Sequence, residues 1–347
     1  MALIIPVPTD LIAIAKARSA DPTKRAQFER IVMGLARELK GAARTGEQEL
    51  FAAAAKRLDA LWSKLTRAQQ QRVLARVGTI VERHYVRMAV ATAAKLEQFG
   101  RQVAQGTRRA FRKRFSPNIS AGLTSNDRSF IARVSRSRSW YLRSHGEVVS
   151  EKVRNRAAEI IKAGSKAGLS DKQIARELKD AFSKRVIDAS EAYYRVVANA
   201  ALARTRSWAS LQSFQEAGFE EWRYVSVLDE RTSDQCRWLH GRTWKISTGI
   251  SLLEYGEKEA ARNPLSIKET MPWIRTSKDE KTGKQYLAFK RGDKTERLAL
   301  IKRSAVGERD KIGSYSSIAS DQRLASFGVI IPPTHGDCRS SMEPVTG

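Results

Sequence analysis

Sulfur and imidazole are scarce in this chain: its 347 residues include two cysteines and four histidines. Two cysteines cannot build a disulfide framework, so a small stapled scaffold is excluded and one Cys236–Cys338 bridge is the most that could form. Long apolar runs are missing as well. No stretch of 18 uncharged apolar residues occurs, and no membrane span is predicted. The apolar start, Met1 to Pro8, is short, lacks a basic flank and is broken by Pro6 and Pro8, so no secretory signal is expected. Neither a P-loop nor a GxGxxG run is present, which argues against an ATPase or a dinucleotide enzyme. Acid is also in short supply. Against 37 Asp and Glu stand 63 Lys and Arg, a net charge of +26. Such a charge opposes compaction and self-association, and it is tolerated most easily beside a polyanion such as nucleic acid or an anionic membrane.

Proline is widely spaced, with none between Pro22 and Pro117 or between Pro117 and Pro264. The first gap is rich in helix formers. Asp21-Pro22 reads as a cap followed by proline at the first helical position. Phe28, Ile31, Val32, Leu35 and Leu39 recur at helical spacing, and the pattern returns from Glu47 to about Phe115, with a turn expected near Thr66 or Gly78. Within residues 101–145, Arg101, Arg108, Arg109, Arg112, Lys113, Arg114, Arg128, Arg133, Arg136, Arg138 and Arg143 are set against one acid, Asp127, with Phe111, Phe115, Phe130, Trp140 and Tyr141 interleaved. Arginine grips phosphate bidentately and aromatics stack on unpaired bases, so these cations are candidate nucleic-acid contacts. A solvated helix face with inward aromatics gives the same pattern.

From Glu147 the pattern is one of compact helices. One ends near Gly164, Ser170 with Gln173 forms a capping box, Asp188 with Glu191 looks like a similar start, and Gly218 closes the series as a left-handed cap. The period then changes. Trp222, Tyr224, Ser226 and Leu228 alternate with Arg223, Val225 and Val227 as a strand. Ser233 or Asp234 caps a short helix ending before Gly241, and Thr243 to Ile246 forms a second strand. Segments 286–289 and 297–301 flank Arg291-Gly292-Asp293 as an exposed hairpin. Phe327 to Ile331 reads as a strand entering the Pro332-Pro333 corner. The expected fold is a mainly α N-terminal helical module followed by an α+β domain with a small Cys/His knuckle and β-hairpin. Its parts are expected at 1–146, 147–218 and 219–347.

Both cysteines and two histidines fall in two remote stretches. Cys236 and His240 form a C-x3-H half, and His335 and Cys338 an H-x2-C half. Such pairs can close a tetrahedral zinc site. Equally, they can remain metal-free, with hydrogen-bonded imidazoles and thiols that are reduced or bridged. Four protein ligands would leave no open position for catalysis, and a Cys/His dyad on one helix offers no oxyanion hole. Ser247-Thr248-Gly249 with Glu257 and Glu259 are too close together for an ADP-ribosyltransferase. No catalytic residue is assigned.

The run Gly168-Leu169-Ser170, Gln173-Ile174-Ala175, Leu178, Ala203-Arg204-Thr205-Arg206, Ala217-Gly218 and Trp222 continues through Asp229-x-Arg231-Thr232, Cys236, Leu239-His240-Gly241 and Pro332-Pro333-x-His335-x-x-Cys338-Arg339. It resembles the phage minor head, or head morphogenesis, family typified by the phage Mu F protein and its relatives in phage SPP1. The resemblance covers roughly residues 147–347. It implies a virion protein in several copies, in the capsid interior or at the portal vertex, made in the bacterial cytoplasm and partnered by portal protein, major capsid protein and, non-specifically, double-stranded DNA. A membrane partner is not expected. Many relatives read C-x-x-C and H-x-x-C-x-C; here Ser233 and Ser340 stand at the outer cysteine positions, so a zinc site would need His240 as its fourth ligand, while loss of both outer cysteines also fits loss of an optional bridge. Arg204 and Arg231 are expected to stabilise the fold through ion pairs, as part of a motif with Asp229 and Thr232. The alternative is a virion-carried enzyme, either a zinc-dependent nuclease or an ADP-ribosyltransferase-like effector.

Overall fold

The computed structural model describes Phe28, residues 30–39, Gly41, Thr45 and Glu49, then residues 66–336 and 338–346. The Asp21-Pro22 cap and most of the helical pattern over 47–65 lie outside them. Three long helices follow: α1 (Arg67–Arg114), α2 (Ser125–Lys166) and α3 (Asp171–Glu216). Local chemistry sets their ends. Thr66 and Gln69 cap α1 reciprocally, backbone N–H to side chain in both directions at 2.8 and 3.3 Å. Gly78 lies inside α1 and makes no turn. Ser170 and Gln173 form the expected box before α3. After α3, Gly218 takes φ +80°, and Phe219 N–H returns to the Phe214 carbonyl at 3.0 Å. Two expectations are corrected. The helix containing Val148 begins at Ser125, and α3 passes through Asp188 without a break, because nothing between 171 and 216 interrupts its backbone ladder.

Beyond α3 come β1 (Glu221–Val225), α4 (Asp234–Leu239), β2 (Thr243–Lys245), α5 (Ile246–Arg262), a 3-10 turn at Pro264–Ser266 and α6 (Ile267–Thr270). Next are β3 (Arg275–Lys278), β4 (Gln285–Arg291), β5 (Lys294–Arg303), β6 (Ser314–Ser317), α7 (Asp321–Ser326) and β7 (Ser341–Pro344). Two antiparallel sheets result, one in the order β2-β1-β7 and one a meander, β3-β4-β5-β6. A mainly helical N-terminal part followed by an α+β region is therefore the fold. Phe327 to Ile331 is not a strand: it closes α7 and bends into the proline corner, with Val329, Ile330 and Ile331 buried and paired with no strand among the described residues.

Contacts group the chain into two compact units. One holds residues 32–96 and 138–198, the other 97–137 and 199–347 with the described residues up to Ile31. The first is helical, with a core that includes Leu35, Leu39, Val81, Tyr85, Leu96, Ile161 and Tyr194. The second holds both sheets. Its core stacks Phe130 on Trp208 at 4.3 Å and packs Trp222 beside Trp244. A side chain at Gly249 would meet Leu211 within 2.8 Å, so glycine lets α5 close on that core.

Candidate metal centre

β1 is the middle strand of the small sheet, and it positions the site. Its register sets Tyr224 opposite Met342 and Val225 opposite Ser341. This pairing carries the C-terminal stretch back to β1, so Cys338 arrives beside Cys236 on α4. The two sulfurs lie 3.7 Å apart, and the Tyr224 hydroxyl reaches both, at 3.5 and 3.6 Å. His335 Nε2 is 3.1 Å from Cys236 Sγ and 3.1 Å from Ser233 Oγ. Ser233 is the N-cap residue of α4, yet its hydroxyl makes no capping bond. Ser340, the other outer position, reaches Ser226 Oγ at 3.2 Å. Both serines thus stand at the rim of the cluster.

Ligand atoms of Cys236, His335 and Cys338 lie within 4.8 Å of one another. Two thiolates on a tetrahedral zinc sit about 3.8 Å apart, so the donor set suits three of four zinc positions. His240 is placed elsewhere. A helix running through His240 would set its ring on the same face as Cys236, but α4 ends at Leu239, and His240 leaves the helix with φ −56° and ψ 131°. Its Nδ1 accepts the Ser226 N–H at 3.0 Å. Burial, then the Arg223 charge, lower its pKa to about 4. Within the cluster, burial pushes the Cys236 thiol up, and its neighbour Cys338 adds to this. Burial also opposes charge on Cys338, but bonding with Cys236 and His335 outweighs it and brings that thiol well below its usual range. Tyr224 is held neutral by burial and then by the two sulfurs.

Beside the cluster, an ion pair ties the two remote stretches together. Arg339 grips Asp229 with both nitrogens, at 2.7 and 2.5 Å. Asp229 also accepts the Arg231 N–H and the Thr232 hydroxyl at 3.0 Å each, forming a tight turn. The Arg339 contacts come first in holding the Asp229 carboxyl well below its ordinary range. Arg231 itself is exposed. Arg204 is buried, with Nε 3.8 Å from Glu257, itself fully buried. Ser247, Thr248, Gly249, Glu257 and Glu259 all lie on α5.

Sequence reading missed Arg237, which is fully buried in a cage of carbonyls. It donates to Thr232 at 3.0 Å, to Asp229 and Glu308 at 2.6 Å, and to Lys311. One side chain thereby ties α4 to the Asp229 turn and the loop after β5. The available signal was its place inside the first Cys/His half; Arg339, directly after the second, offered the same.

The basic segment divides. Arg108 is fully buried between Asp127 at 2.8 Å and Glu216 at 2.8 Å, with Trp208 also bonded to Asp127. It is a core ion pair and is out of reach of a phosphate, as is buried Arg138. Arg101, Arg109, Arg112, Lys113, Arg114, Arg136 and Arg143 are exposed and Arg133 is half-buried. Arg101 pairs with Glu97, and Arg114 lies 3.7 Å from Glu343. The aromatics turn inward: Phe130 is buried, and Phe111 and Phe115 pack on Phe214.

A small sheet and a Cys/His clasp thus join two stretches about 100 residues apart in sequence. Residues 151–252 match the family described as Phage Mu protein F like protein. The resemblance to phage minor head proteins therefore holds over that segment, which runs from α2 through α4 into α5 and includes Cys236 and His240. It supports a phage head morphogenesis or structural protein. No curated protein and no solved structure matches the chain. No helix among the described residues is long and apolar enough to cross a membrane.

Proposed function

We propose that this protein is a structural, non-catalytic minor component of a phage head. It acts in head morphogenesis in several copies per particle, contacts portal and major capsid protein, and touches packaged double-stranded DNA non-specifically. The observation that carries this reading is the family match over 151–252, which spans the first half of the clasp. The +26 charge supports a place beside packaged DNA, through exposed cations such as Arg109 and Lys113. Cys236, His335 and Cys338 would hold zinc, with the Ser233 hydroxyl or a water completing the set. The ion would act as a cross-link between the two remote stretches, adding folding free energy to the clasp.

Disrupting the gene tests the head role. The expected result is a loss of DNA-filled heads in electron micrographs of lysates, restored by the gene in trans. Normal numbers of filled heads without the protein would contradict it.

A further inference from the structure

The β3–β6 meander exposes a cationic end. β4 and β5 join through Gly292-Asp293, and Gly292 has φ +56°, the requirement at the first position of a type II′ hairpin turn. The last two rungs set Lys290 opposite Thr295 and Arg291 opposite Lys294, all exposed. Like charges placed opposite each other destabilise a hairpin. Among the described residues no carboxylate forms an ion pair with Lys290, Arg291 or Lys294. The hairpin's acids are Asp293, in the turn, and Glu296, which lies 3.7 Å from Arg323. Arg297 pairs with Asp279.

Arginine is also held in place here. The Arg291 guanidinium lies over Phe289 at 5.6 Å and over Phe327 at 5.2 Å, and Arg323 lies over the same Phe327 at 5.2 Å. Stacking uses the face of a guanidinium and leaves its edge N–H groups for oxygen acceptors. Two cations drawn onto one ring, beside an uncompensated cross-strand pair, form a surface suited to an anion from outside the chain.

We propose that this hairpin is a phosphate-contacting arm, in which Lys290, Arg291 and Lys294 grip the backbone of double-stranded nucleic acid without reading its sequence. A single strand would need open aromatic platforms. Phe289 and Phe327 are 1% and 9% exposed and carry the protein's own arginines. A membrane surface would need apolar groups to insert, and the tip is Gly292-Asp293. The inference rests on the DNA contact proposed above for its ligand, and it places the main grip on the hairpin.

The test is fluorescence anisotropy of the full chain with a labelled random-sequence duplex over a salt titration. It compares the wild type with the double variants Lys290→Gln/Lys294→Gln and Arg109→Gln/Lys113→Gln. All four positions are exposed, and thermal melts by circular dichroism establish that each variant folds. The hairpin variant is expected to lose at least tenfold in affinity at moderate salt, with the log–log salt slope reduced by about 2. The helix variant is expected to lose less. Wild-type binding that the hairpin variant keeps in full overturns this inference and leaves the DNA contact standing. Tighter binding to anionic vesicles than to duplex also overturns it. A wild-type chain that binds no duplex overturns both.

Discussion

Arg237 shows how much of the site depends on a single side chain. Its guanidinium satisfies four carbonyls from two separate segments, so Arg237→Met should strand several buried acceptors and destabilise the protein by about 3 kcal/mol. Chemical denaturation would measure this; a loss below about 0.5 kcal/mol would deny the cage its role. His240 makes a pH prediction. Its folded pKa is lowered to about 4, against about 6.5 unfolded, so the neutral form is the folded form. Its contribution is complete above pH ~6.5, falls as pH drops from there, and levels off below about 4. An NMR titration should find its ring signals unmoved until near pH 4; a midpoint near 6.5 would contradict the burial. Asp229 behaves in the same sense at lower pH. Its carboxyl is depressed chiefly by Arg339, so its contribution is complete above the ordinary carboxylate range and is lost as pH falls below about 4. Asp229→Asn should flatten that acid limb. Ser233 is the most informative substitution for the metal. Its hydroxyl sits 3.1 Å from His335 Nε2, so Ser233→Cys would add a third sulfur at C-x-x-C spacing. Elemental analysis should then find zinc retained through chelator treatment that strips the wild type; equal retention would remove the serine from the coordination shell.

At the scale of elements, what could be read locally in the sequence is what is fixed locally. The Ser170/Gln173 box and the Gly218 cap need only neighbours in the chain, and both stand where the pattern places them. So does the β4–β5 hairpin, because glycine in a two-residue turn carries its own geometry. The elements that escaped are set by distant partners. Ser341–Pro344 is short and polar, and it is a strand because β1 offers it a ladder. Phe327 to Ile331 has strand composition but no ladder, so it packs as buried bends. Cys236, His335 and Cys338 were legible as a set because scarce residue types cluster in two stretches. His240 stood out for the same reason, but its position depends on where α4 stops, and one residue of helix end redirected its ring. Gly249 gives an element-scale prediction. Gly249→Val would press into Leu211 and Trp222 and lift α5 from the core, lowering stability by about 1–3 kcal/mol in a thermal or denaturant melt. No change in the melt would mean that α5 packs less closely there.

For the whole molecule, the net charge and the family match over residues 151–252 support the same proposal. An excess of 26 positive charges suits a place beside a polyanion, as the proposed contact with packaged DNA requires. The charge was legible from composition, but its distribution was not. Arg108 and Arg138 turned into the interior, while the hairpin after β4 emerged as a cationic edge. The central claim is that this chain is built into phage heads. Quantitative mass spectrometry of nuclease-treated, density-purified particles tests it most directly. The account predicts its peptides at a fixed, low ratio to the major capsid protein in every preparation; their absence from particles, with the protein left in the soluble lysate, would contradict it.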